Sequence, residues 1–153
     1  MEFLIIVAGI ILDQVSKWAA TAYLNEGSVS VIRGLLSFTL VDNPNGAFGL
    51  FGGISGLLLP VSVIIVAVCI WFMLKAKRKN YKLLSTGIAL IVSGAFGNII
   101  DRFVRGSVID FIQVHLFDFP VFNVADIFVV VGAFGSLLLI MFTKAGDVLE
   151  SNK

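Results

Sequence analysis

"ISGLLLPVSVIIVAVCIWFML", residues 54–74, runs for twenty-one positions without a charged side chain. Roughly 20 apolar residues are needed to cross the hydrocarbon core of a bilayer as a helix. Backbone groups inside that core find no water, so a spanning segment closes its own hydrogen bonds by becoming helical. Pro60 falls near the start of the run, where a missing N–H does least harm. The residues that follow, "KAKRKNYK" (75–82), hold five of the eleven lysines and arginines in the chain. Basic residues beside a span collect on the cytoplasmic side, so this segment orients the protein.

Three more apolar stretches flank this one. Spans are expected at about 3–24, 54–74, 83–100 and 123–143, which puts both termini in the cytoplasm and segments 25–53 and about 101–122 outside. The whole chain of 153 residues suits a single membrane-embedded domain, with 58% hydrophobic residues, 14% charged residues and a mean hydropathy of +1.02. A soluble domain carries nearer a quarter charged residues. The net charge of +1 gives no reason to expect a nucleic-acid partner. Ala20-Thr21-Ala22 resembles a signal-peptide cleavage site, but Met1-Glu2 offers no basic residue and Asp13 interrupts the apolar region, so this stretch is expected to remain as a span. Cys69 is the only cysteine, which excludes an intrachain disulfide, and His115 the only histidine. Neither supports a zinc site, and no metal or organic cofactor is expected.

The outer segment 25–53 breaks the helical pattern. "SVSVIRGLLSFTLVDN" (28–43) is rich in β-branched and aromatic residues, and reads as short strands with a turn at Arg33-Gly34. "NPNGAFGLFGG" (43–53) is dense in turn residues and reads as a loop. The fold class is therefore all-α integral membrane, with four helices and a small extracytoplasmic β-rich element.

Ionisable residues inside such a chain mark function by default. Asp13 and Lys17 are four apart and share a helix face, where they can pair. Asn98, Asp101 and Arg102 form one polar stripe if the third helix reaches that far. Ser93, Gly94 and Gly97 precede them and let another helix approach closely. Asn123 and Asp126 suit the start of the fourth helix as caps. Asp110 sits among apolar residues with no obvious local partner. Two carboxyls brought together at low dielectric share a proton, so one can accept a proton from water while the other donates to a carbonyl oxygen. That is the minimum equipment of an aspartic protease. A rival reading is a small transporter or channel subunit in which Asp13, Lys17, Asp101 and Arg102 relay an ion or proton.

Five blocks, "DQVSK" (13–17), "NPNGAFG" (43–49), "GNIIDR" (97–102), "VIDF" (108–111) and "FNVAD" (122–126), resemble in order and spacing the bacterial lipoprotein signal peptidases. The resemblance implies an aspartic endopeptidase of the inner membrane. Such an enzyme removes the signal peptide of a diacylglyceryl-modified prolipoprotein, cutting before the lipidated cysteine. It places the catalytic dyad at Asp110 and Asp126. Substrate-binding or site-ordering roles would fall to Asp13, Lys17, Asn43, Asn98, Asp101, Arg102 and Asn123. Membrane lipid and the cyclic peptide globomycin are the further partners it implies. The second block departs from the family pattern, and either Asn43 or Asn45 can take the family asparagine's place.

Overall fold

The computed structural model describes residues 1–24, 27–44, 55–116 and 119–149. Four helices are long and apolar enough to cross a membrane among these residues. They are α1 (Glu2–Tyr23), α2 (Ser55–Arg78), α3 (Lys82–Arg105) and α4 (Val124–Phe142). The shortest has 19 residues, or about 29 Å at 1.5 Å per residue, close to the thickness of the hydrocarbon core. Large apolar side chains lie on the outside, with Ile64, Trp71, Phe103, Phe134 and Met141 all more than 60% exposed. The fully buried side chains include Asp13, Lys17, Asp101 and Asn123. Lipid solvates the apolar exterior, which leaves the polar groups to partner one another inside.

α3 is the central helix and packs against α1, α2 and α4. Small residues permit this. A Cβ at Gly94 would strike the Ala125 carbonyl oxygen, and one at Gly97 would strike the Asp13 carboxylate. The expected end of the third span near residue 100 is too early. α3 continues to Arg105, because its last turns bury polar side chains against α1 and α4 instead of meeting water. It stops at Gly106, whose φ of 80° is a left-handed cap that a glycine adopts without steric cost.

Three strands form one antiparallel sheet in the order β1 (Val29–Ile32), β2 (Leu36–Asn43), β3 (Val108–Val114). The expected turn at Arg33-Gly34 joins the first two, with Gly34 at φ 73°. The third strand adds to the expected architecture, which gives the segment around "VIDF" no strand. β2 pairs with β3 through Phe38↔Ile112, Val41↔Asp110 and Asn43↔Val108, with an irregularity between Phe38 and Val41. β1 is exposed throughout. Ala20 of α1 and Leu24 just past its end seat the sheet through Phe111, with Phe38 and Ile112 packed alongside.

At the opposite end, the basic segment is mostly helix and not loop. Lys75, Lys77 and Arg78 lie in the last turn of α2, where cations complement the helix dipole. A 3-10 helix, Lys144–Val148, follows α4. Its Ala145 and Val148 are buried in the cluster of Met73, Ala76, Leu84 and Ile88. Of the expected loop at 43–53, Asn43 instead ends β2, and residues 45–53 lie outside the described residues.

Candidate active site

Asp13 and Lys17 pair as their spacing predicts, with Lys17 Nζ 2.9 Å from Asp13 Oδ2. The same ammonium lies 2.9 Å from Asp101 Oδ2 and donates to Asn98 Oδ1 at 2.9 Å. All three charged residues are at most 1% exposed. Asp101 therefore pairs with Lys17, although Arg102 is its neighbour in sequence. One residue around the helix, the half-buried Arg102 guanidinium faces a different space, and Nη1 reaches the Asn98 carbonyl at 3.5 Å.

The Asn98 amide beside the triad is oriented by it. Asn98 gives its oxygen to Lys17, so its Nδ2 is left to donate to Asp126 Oδ1 at 2.9 Å. Asn123 caps α4: its Oδ1 accepts from the Asp126 N–H at 3.0 Å, and Asp126 Oδ2 accepts from the Asn123 N–H at 3.1 Å. Capping and site-building are thus served by the same residues. The Asn123 Nδ2 donates to Asp110 Oδ1 at 2.7 Å. Asn43, at the end of β2, donates from Nδ2 to Asp110 Oδ2 at 2.8 Å. Asp110 has partners after all, but both come from other elements. Asn45 lies outside the described residues.

The triad also holds the backbone that carries the two outer aspartates. Asp101 Oδ2 accepts from the Ile109 N–H at 3.3 Å, one residue before Asp110. Asp13 Oδ1 accepts from the Ala125 N–H at 3.0 Å, one residue before Asp126. Each inner carboxylate grips the peptide next to one outer carboxylate.

Asp110, Asp126, Asn43, Asn98 and Arg102 line one cavity of about 240 Å³, whose remaining wall includes Phe119, Phe122, Val129 and Val130. All nine sequence-predicted residues therefore belong to this cavity or to the network behind it. Burial pushes the Asp110 carboxyl up to about 6, opposed by the Asn43 and Asn123 donors and helped by the nearby Asp126 charge. Such a group can hold a proton near neutral pH while a neighbouring carboxylate stays ionised, which suits acid–base hydrolysis. Among the described residues no group of three or more His, Cys, Asp or Glu could hold a metal ion.

Sequence reasoning missed Gln14. Its Nε2 lies 3.2 Å from each of Asp13 Oδ2, the Gly97 carbonyl and Asp101 Oδ1. The signal was present, since a glutamine beside Asp13 interrupts an apolar helix.

A sequence profile of the family described as signal peptidase (SPase) II matches residues 5–143. The lipoprotein signal peptidase of Clostridium novyi (strain NT) is 39% identical over 150 residues, covering 95% of this chain and 99% of that protein. The Clostridium tetani protein of the same name is 38% identical over 157 residues, covering 100% of this chain and 98% of that one. A solved bacterial membrane enzyme superposes with a TM-score of 0.82 at 31% identity, over 99% of this chain and 93% of its own.

Proposed function

This chain belongs to the signal peptidase II family of membrane peptidases, and from that premise we propose that it removes the signal peptide from diacylglyceryl-modified prolipoproteins. The cut falls before the lipidated cysteine, and Asp110 and Asp126 form the catalytic dyad. The whole chain acts as one domain. The observation that carries this reading is the single cavity into which both carboxyls open, each tied to an asparagine that cannot itself titrate.

Asp110, with its raised affinity for a proton, is the acid, and Asp126 is the base. Water attacks the scissile carbonyl carbon, and Asp126 takes its proton. Asp110 delivers a proton to the carbonyl oxygen, giving a neutral tetrahedral intermediate. Collapse breaks the C–N bond, the amine leaves with the proton held by Asp126, and the intermediate's hydroxyl proton returns to Asp110. Arg102, half-buried at the cavity wall, is placed to bind substrate backbone carbonyls.

Phe119, Phe122, Ile127, Val130 and Val131 line an apolar groove of about 250 Å³ that also touches Asp126. This suits a substrate whose acyl chains remain in the bilayer while its peptide reaches the dyad. Each buried CH₂ contributes about 0.8 kcal/mol, so the acyl chains supply much of the binding. The dyad lies at the extracytoplasmic side of the inner membrane, both termini are cytoplasmic, and a globomycin-type cyclic peptide acts as inhibitor. The relay alternative gains no support, because the triad and dyad sit together at one end of the bundle.

Purified protein in detergent or nanodiscs should cleave a diacylated prolipoprotein and leave its unlipidated form nearly uncut. Asp110→Asn and Asp126→Asn should each abolish turnover while substrate still binds. Near-normal cleavage by either folded variant would overturn the dyad assignment.

A further inference from the structure

Asp13, Asp101 and Lys17 together place two negative charges and one positive charge in a site with almost no access to water. An excess carboxylate charge at low dielectric persists only where hydrogen-bond donors surround it. Asp13 Oδ1 receives the Ala125 N–H, Asp13 Oδ2 receives Lys17 and Gln14, and Asp101 Oδ2 receives Lys17 and the Ile109 N–H. Among the described residues, the donor to the fourth oxygen, Asp101 Oδ1, is Gln14 Nε2. Its third neighbour is the Gly97 carbonyl, also an acceptor. With three acceptors facing it, the end of Gln14 that points inward must be the NH₂.

Gln14 thus touches both inner carboxylates at once. These are the same two groups that grip the peptides preceding Asp110 and Asp126. Resting on the dyad reading given above, we propose that Gln14 is a positioning residue that sets the separation of the two catalytic carboxyls by bridging Asp13 to Asp101. It does not face the substrate cavity and does not react. Lys17 attracts both inner carboxylates but leaves them free to swing about one shared point. A second bridge on the other side of the pair removes that freedom, and the constraint passes through the Ile109 and Ala125 N–H groups to the dyad.

Two variants test this. Gln14→Met keeps the length of the side chain and removes its donors. Losing the hydrogen bonds that bridge the two carboxylates should cost at least about tenfold in kcat, with KM within about twofold of wild type. Gln14→Glu keeps the shape but faces Asp13, Asp101 and the Gly97 carbonyl with acceptors only. It can donate only when protonated, so its activity relative to wild type should rise as pH falls from 8 to about 5.5. Lys17, one turn away, and Arg102, on the neighbouring helix, are the nearby cations.

The pH comparison uses a single folded variant, so it stands even where Gln14→Met does not accumulate. A wild-type kcat in Gln14→Met, or a Gln14→Glu to wild-type ratio that is flat with pH, overturns the inference. Asp110→Asn is assayed alongside. If it still cleaves, the dyad reading itself has failed. If it is dead while Gln14→Met turns over normally, only the role of Gln14 has failed.

Discussion

Replacing Asp110 by asparagine should change the pH dependence of stability in a calculable way. Its carboxyl is raised from an ordinary 3.8 to about 6, mainly by burial. A group that binds its proton more tightly in the folded state stabilises the fold most below the lower of these values. That stability is lost as pH rises through the upper one. The interval corresponds to about 3 kcal/mol in all, of which about 1.4 kcal/mol falls between pH 5 and 7.5. Asparagine carries no titrating proton, so the variant should lack this component of the slope. Its absolute stability is a poorer guide. An amide NH₂ must face one of the Asn43 and Asn123 donors, and one lost hydrogen bond to a buried group costs about 1–3 kcal/mol. The assay is reversible unfolding in a fixed detergent at several pH values, with variant and wild type side by side so that other titrations cancel. Between pH 5 and 7.5 the stability of wild type should fall relative to the variant by about 1.4 kcal/mol. Parallel curves would refute the claim that Asp110 is a buried acid with raised proton affinity. An absent slope combined with retained cleavage would leave it buried and raised, but not catalytic.

Four further outcomes are expected. Lys17→Met leaves the buried Asp13 and Asp101 carboxylates without their shared cation, and should lower stability by about 3–5 kcal/mol, measured by unfolding in the same detergent. Gly97→Ala drives a methyl group into the Asp13 carboxylate, and should cost about 1–3 kcal/mol together with most cleavage activity. Gly135→Ala, whose Cβ would meet nothing within 4 Å, should leave both unchanged. In a Cys69→Ala background, a membrane-impermeant thiol reagent applied to intact cells should label Ser30→Cys and spare Arg78→Cys, and the reverse pattern would invert the topology.

Hydropathy located all four spans to within a few residues at most ends, because the length of hydrocarbon to be crossed fixes the length of an apolar run. It missed the ends where something other than lipid solvates the chain. α3 passes residue 100 because Asp101 is buried against α1, and α2 runs on through Lys75 and Arg78 because lysine and arginine are good helix formers. The first hairpin was legible from its β-branched residues and Gly34. The third strand was not, since seven residues around a lone aspartate acquire strand form only by pairing with β2. The nine polar residues of the site stood out because ionisable and amide groups are costly in a bilayer. Their pairings did not, apart from Asp13 with Lys17, which a single helical turn brings together, and Asn123 with Asp126, which cap the fourth helix. That Asp101 chooses Lys17 over Arg102, that Asn98 turns its amide toward Asp126, and that Asn43 and Asn123 converge on Asp110 were decided by helix packing. An apolar surface carries no record of which helix it will face, whereas a buried polar group is satisfied only by the partners that the assembled bundle delivers.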